Sequence, residues 1–262
     1  MTVLIGSYDN AATLPRAIES ILAQTVTDVE LIVVDDGSAD ATAALTEEYA
    51  HRDPRVRLLS MGRNVGISES LNEGLRAARA PIVAINDADD HSAPQRLERQ
   101  LALLDGRPDV AVVGCRMHEV DEQGCALRPR TSFQSGNVGD ALMRFNPIPN
   151  TSAALRRDAA LAVGGYDAGL RYAMEYDLWL RLADDWTIWA LDELLATRVM
   201  GSTNVASHAE RAQIGETIGL RLRAMARRRS LRGATGLAPY VVSYATPIPL
   251  KRALRRRLGQ AP

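Results

Sequence analysis

Beyond Glu216 the 262-residue chain has no acidic residue at all, and other absences narrow its class further. Cysteine occurs only twice, as Cys115 and Cys125, too few for a disulfide scaffold. Two lone thiols are expected to be small hydrophobes in a reducing, cytoplasmic compartment. The N-terminal "MTVLIGSYDN" has neither a basic n-region nor an apolar run of signal length, so it is expected to open the fold directly as a strand. The apolar stretch "GLAPYVVSYATPIPL" falls short of the ~20 residues that span a bilayer, and prolines interrupt it. Internal repeats and low-complexity linkers are missing too. What is present is 46% hydrophobic residues. That is enough for a large core, as one big domain or two lobes built together, and it argues against disorder.

Charge is divided unevenly. Residues 1–216 carry 20 Lys and Arg against 32 Asp and Glu, a net of −12, while the remainder carries +11. The two parts face different partners. A run of positive charge is usually a solvated helix face. Its alternative is attachment to an anionic membrane surface, where each Lys or Arg contributes about 1 kcal/mol. Tyr240 and Tyr244 would then sit at headgroup depth. Nucleic acid is not an expected partner, because the segment shows no recognised motif and few interleaved aromatics.

Through the first hundred residues short apolar runs alternate with helical patterns. Strands are expected at 2–6, 29–34, 55–60, 81–85 and 109–115, with helices between them, the fourth over 93–106. Thr13 can cap the first helix and Pro15 suits its first turn. This alternation predicts an α/β fold with a mostly parallel sheet covered by helices on both faces. Ligands of such sheets bind at the carboxyl ends of the strands. The residues there are Ser7, Tyr8 and Asp9, then Asp35 and Asp36, then Arg63 and Asn64, then Asp87, Asp89 and Asp90. After residue 115 the pattern becomes mixed: a hairpin turning at Gln123 and Gly124, a short helix over 137–145, a strand over 150–157, a helix over 177–185 and a strand over 186–192. A long Arg-rich helix is expected over 207–232. The domain reading is a nucleotide-binding lobe over 1–115, an acceptor-side lobe over 116–205 and a basic helical tail over 206–262.

Three stretches carry candidate chemistry. In "VVDDGSAD", Gly37 permits a turn and Ser38 or Asp40 can cap the next helix, which leaves Asp35 and Asp36 at the mouth of the sheet. A carboxylate there can accept a hydrogen bond from a base or a ribose. In "INDADD", three carboxylates in four positions raise one another's pKa unless a cation relieves them. Asp-x-Asp at a strand end suits Mg2+ or Mn2+ bridging two phosphates, although most such sequences are solvated turns. In "AMEYDLWLRLADD", Glu175 and Asp177 either complement the helix dipole or supply a general base.

Together these stretches resemble the inverting, metal-dependent nucleotide-sugar glycosyltransferases of the GT-A fold, family 2. "TVLIGSYDNAATLPRAIESILAQTVTDVELIVVDDGSAD" is similar to the family's opening. "RNVGISESLNEGLRAARAPIVAINDADDHSAPQRLERQ" is similar to its Asn-x-Gly and Asp-x-Asp stretch. "NPIPNTSAALRRDAALAVGGYDAGLRYAMEYDLWLRLA" is similar to its acceptor-side strand, Gly-Gly-Tyr turn and catalytic acidic helix. The resemblance covers roughly residues 2–205.

It implies that Ser7 and Tyr8 line the base pocket, with Tyr8 stacking on the base. Asp36 would bond a base ring nitrogen, and Arg63 and Asn64 would lie along the nucleotide. Asp87 would sit near ribose and metal, and Asp89 would ligate Mn2+ or Mg2+. Gly165, Tyr166 and Trp179 would belong to the acceptor side. Glu175 is the expected base, with Asp177 its rival, acting on a hydroxyl of a saccharide or lipid-linked acceptor in polysaccharide or glycoconjugate assembly; Asp90 is expected only to lead into the following helix. Two departures stand out. Met174-Glu175 replaces the usual Glu-Asp, and the extra methylene moves the carboxylate about 1.5 Å. Met200 stands where the family often carries a His near the diphosphate. These departures leave open a nucleotide-sugar-binding protein that has lost catalysis. A nucleotidyltransferase is disfavoured because no Gly-rich, Lys-bearing phosphate loop occurs near the N-terminus.

Overall fold

The computed structural model describes residues 1–127, 133–201, 210–229 and 234–246. Four strands, β1 (Thr2–Ser7), β2 (Glu30–Asp35), β3 (Val56–Ser60) and β4 (Ile82–Ile85), run parallel in the order β3-β2-β1-β4. Helices α1 (Leu14–Leu22), α2 (Thr42–Arg52) and α3 (Ile67–Ala77) make the crossovers. β1, β2 and β4 are buried along nearly their whole length, as continuous apolar strands covered on both faces must be. One face packs on α1 and on α4 (Arg96–Gly106) through Leu14, Ile18, Ile21, Leu97 and Leu104. The other packs on α3 and the later helices through Leu71, Leu75, Leu178 and Trp179.

The sheet then continues through the second half of the chain, over nine strands among the described residues. β8 (Ala154–Arg156) inserts antiparallel between β4 and β6 (Val110–Asp121). β6 runs parallel to β9 (Thr187–Met200), and short β5 (His91–Ser92) and β7 (Gly136–Asn137) each pair antiparallel with β9. The sheet is therefore mixed but mostly parallel, as expected. β6 crosses residue 115, so a single sheet is shared by the two expected lobes.

Several local expectations change. Thr13 makes no side-chain cap, whereas Asp40 accepts from the Thr42 N–H at 2.9 Å and so serves α2. Among the described residues the expected turn at Gln123 and Gly124 is present, with Val120 bridged to Ala126 and the Leu127 N–H donating to the Glu119 carbonyl at 2.8 Å. The short helix expected over 137–145 is a 3-10 turn, Ala141–Met143. The strand expected at 150 begins only at Ala154, because Asn150–Ser152 form a 3-10 turn after Pro149. α5 (Arg157–Ala162) follows, and α6 (Met174–Leu182) begins earlier than its sequence pattern suggests. The final elements are α7 (Glu210–Arg227) and α8 (Ala238–Ala245). Of the basic tail, Arg232, Lys251, Arg252, Arg255, Arg256 and Arg257 lie outside the described residues.

Candidate active site

The loops leaving β1, β2 and β3 are tied into one surface. Asp9, at a φ of +53°, accepts from the N–H groups of Ala39 and Asp40 at 2.8 and 3.3 Å, and its own N–H reaches the Ser38 hydroxyl. Ser7 is buried at the end of β1, while the Tyr8 ring beside it is 47% exposed, an open aromatic face at the rim. Asp35 is buried and accepts from the Ser38 N–H at 3.3 Å. The Asp36 carboxylate takes the N–H groups of Val65 at 2.7 Å and Gly66 at 2.9 Å, one on each oxygen. It therefore fixes the loop that presents exposed Arg63 and Asn64, and a bond to a ligand would be an additional one on an oxygen already engaged. Gly37 is required here: its φ is +75°, and a Cβ would lie 2.4 Å from the Arg63 carbonyl carbon. Ser7, Tyr8, Asp36, Arg63 and Asn64 thus come together around these joined loops.

At the end of β4 the carboxylates of Asp87, Asp89 and Asp90 converge, one oxygen from each lying within 4.8 Å of the others. Burial first, and then repulsion from Asp89, raises Asp87 to about 6. Asp90 rises to about 8 through burial and through its two neighbours, and burial also raises Asp89. Asp90 is more than a residue leading into a helix: it is 2% exposed and accepts from the Val199 N–H at 3.0 Å, tying the cluster to β9.

Two cations temper this repulsion. Arg96, fully buried beneath the cluster, donates to the carbonyls of Ile85 and Ala153 at 2.7 and 3.1 Å and to Asn86, Ser92 and Gln100. Its charge and that of Arg198, on β9, both favour ionised Asp87.

α6 carries its two acidic candidates into different surroundings. Glu175 is half-buried on the side of Asp87, and desolvation, with repulsion from Asp87, lifts it to about 7. Asn146 donates to its Oε1 at 3.0 Å. Asp177 instead receives Arg181 at 2.7 Å, and the pair lines a cavity of 570 Å³ with Asn72, Arg76, Gly165 and Arg223. Gly165 and Tyr166 stand between the two sides. Gly165 has a φ of +68°, and a Cβ there would lie 2.3 Å from Asn72 Oδ1, while the buried Tyr166 hydroxyl donates to Asn150 Oδ1 at 2.9 Å. Asn150 also bonds Asp87, so one amide links Tyr166 to the acidic cluster. Trp179 is fully buried and donates to the Ile148 carbonyl at 2.9 Å. It supports the Asn146–Asn150 loop from beneath and presents no open face to an acceptor.

Sequence patterns gave no warning of Arg96 or Arg198, or of the part played by Glu216. Glu216, the last acidic residue, accepts the N–H groups of Arg171, Tyr172 and Ala173 at 3.1, 2.8 and 3.0 Å. It clamps the segment that leads into α6 and Glu175. The paired asparagines around "NPIPN" were the one visible signal, since polar residues flanking prolines mark a built loop.

Residues 2–170 match the family model described as glycosyl transferase family 2. The putative glycosyltransferase EpsE of Bacillus subtilis is 33% identical over 71% of this chain and 67% of its own length. The amylovoran biosynthesis glycosyltransferase AmsE of Erwinia amylovora is 29% identical over 69% of this chain and 68% of its own. Among solved structures, residues 1–349 of TarS from S. aureus, in complex with UDP-GlcNAc, superpose with a TM-score of 0.72 at 18% identity, covering 92% of this chain and 71% of that one. The mannosyltransferase PcManGT of Pyrobaculum calidifontis, in complex with GDP-Man and Mn2+, gives 0.66 at 20% identity, over 98% and 79%. With its mostly parallel sheet, its acidic cluster at the end of β4 and this family match, the chain belongs to glycosyltransferase family 2 and is a glycosyltransferase of the GT-A fold.

Proposed function

We propose that the enzyme transfers a sugar, with inversion, from a nucleoside-diphosphate sugar to a hydroxyl of a saccharide or lipid-linked saccharide acceptor. The observation that carries this reading is the placement of Glu175 opposite Asp87, with a pKa of about 7, on the other side of α6 from the ion-paired Asp177. Neighbours solved with UDP-GlcNAc and with GDP-Man and Mn2+ support a nucleotide-sugar donor and a divalent ion. The name of AmsE, an amylovoran biosynthesis enzyme, supports a role in polysaccharide assembly.

The base of the nucleotide stacks on exposed Tyr8 beside Ser7 and Asp36, with Arg63 and Asn64 along it. Three hard oxygen donors within 4.8 Å, each raised by burial or by its neighbours, fit a divalent cation such as Mn2+ or Mg2+. Asp89 and Asp87 would hold it, with Asp90 behind them. When bound, such an ion supplies Lewis-acid stabilisation of the charge that develops on the leaving diphosphate. Glu175 takes the proton of the acceptor hydroxyl as that oxygen bonds to the anomeric carbon. The bond from that carbon to the diphosphate oxygen breaks with its electron pair, and configuration inverts in one displacement. Asn146 holds Glu175 for this step, and a group with a pKa near 7 is matched to proton transfer at neutral pH.

A panel of nucleotide sugars, screened by thermal shift with and without Mn2+ and then assayed for transfer, tests the reading. A donor that raises the melting temperature only with the ion is expected to be turned over. Asp89→Ala should remove both the ion-dependent shift and the transfer. Full ion-dependent transfer in that variant would sink the metal assignment, and binding without turnover across many acceptors would sink the catalytic one.

A further inference from the structure

α8, with the sequence APYVVSYA, contains no charged side chain and no buried residue. Its Tyr240 and Tyr244, one turn apart, face α7. The Arg221 guanidinium lies 5.0 Å from the Tyr240 ring centre and that of Arg211 lies 5.1 Å from the Tyr244 ring centre. A Cβ on Gly215 would sit 3.3 Å from the Tyr244 ring. Ala238, Val241, Val242 and Ala245 therefore share the other side, at i, i+3, i+4 and i+7, and all four are exposed. Val241 is 50% and Val242 64% exposed. Leu222, on the α7 face that also carries Arg211 and Gly215, is 51% exposed.

The surroundings of this apolar stripe are cationic. Arg211, Arg223 and Arg229 are exposed on and just after α7, and the described residues beyond Glu216 include no Asp or Glu. A second copy of the chain would bring the same sign of charge against itself. The helix is also only about 12 Å long, so it offers far less than the ~800 Å² per partner of a stable protein interface. An anionic lipid surface meets both features: apolar side chains enter the acyl boundary while the arginines lie among the headgroups.

We propose that α8 and the adjoining edge of α7 form a docking surface for an anionic bilayer, with Val241 and Val242 inserted and Tyr244 at headgroup depth. Attachment is peripheral, since no helix of the described residues is long and apolar enough to cross a membrane. Because Glu216 joins α7 to the segment before α6, the docked surface and the catalytic helix are held in one geometry. An acceptor carried by the bilayer would be met at a set distance.

The test mixes the full-length chain with vesicles of phosphatidylcholine alone, or of phosphatidylcholine with phosphatidylglycerol, and pellets them at low and moderate salt. Sedimentation with the anionic vesicles only is expected, weakened at least tenfold by the double change Val241→Asp, Val242→Asp. Both positions are exposed, so the variant should keep its melting temperature and its donor hydrolysis. Equal binding to neutral vesicles, unchanged binding of the variant, or no binding at moderate salt overturns the proposal. Failure to pellet together with self-association that the double variant abolishes would identify the stripe as a contact between copies, and would equally overturn it.

Discussion

Two carboxylates separated by one residue on α6 lead opposite lives. Glu175 is half-buried on the side of Asp87, where Asn146 donates to it and the charge of Arg198 favours its ionised form, while Asp177 is ion-paired with Arg181 at 2.7 Å on the far side of the helix. Residues two apart on a helix point about 200° from one another, so a single helix can serve catalysis on one face and cohesion on the other. Arg181 also donates to the Val163 and Gly165 carbonyls, so Asp177 helps hold the Gly-Gly-Tyr turn in place. The acidic residue whose pKa is raised to about 7 is the one suited to accept a proton.

The largest expected effect tests this contrast directly. Glu175→Gln should lower kcat by about 10²–10⁴-fold with the fold intact, the range removed with a general base. Asp177→Asn should leave kcat within about tenfold and instead cost about 1–3 kcal/mol of stability, the range for a bond between charged groups. Steady-state kinetics and thermal melts on both proteins check the pair, and the reverse pattern would make Asp177 the base.

Next comes the link between α7 and α6. Glu216→Ala strands three N–H groups and should cost about 2–3 kcal/mol, with kcat falling more than the donor KM rises. Equal stability and kinetics in the variant would mean that the clamp is decorative.

A smaller effect follows from pH. Transfer should rise with pH through about 7 as Glu175 loses its proton. Stability without metal should run the other way. Asp87, Glu175 and Asp90, at about 6, 7 and 8, hold protons in the folded state that the unfolded chain releases near 4. The stabilisation that this gives is fully present below about pH 4 and is lost progressively as pH climbs from about 4 through the folded values, the loss being complete near 8. Melting curves should therefore fall over that window, Asp90→Asn should flatten the fall, and added Mn2+ should reverse it. The smallest change is expected from Asn146→Ala. Losing that donor removes a contact that favours ionised Glu175, so the pH limb of kcat should move up by roughly half a unit, whereas a purely structural role would leave it where it was.

Much of the fold was legible because it rests on local pattern. The runs "VLIG", "LIVV" and "IVAI" are apolar without alternation, which marks strands buried on both faces, and the intervening helices carry one-sided stripes. Boundaries after residue 115 were less legible. There β8 is three residues long and antiparallel, and β9 extends to Met200 through register shifts against β6, so long-range pairing sets their limits. The candidate site was legible where carboxylates cluster in sequence, as in "DDGS" and "DADD". It was illegible where single residues from distant segments supply the support: Arg96 looks like an ordinary helical arginine, and Glu216 like any surface acid.

Hydrophobic period and chemical type are properties of neighbouring residues, so the sequence by itself determined the α/β class, the strand ends at which a ligand would bind and the acidic residues available there. Which carboxylate is ion-paired, which is left raised near 7, and which helix clamps the segment before Glu175 depend on distances between residues far apart in the chain. Burial and Coulomb forces act through those distances, and only the tertiary structure decided them.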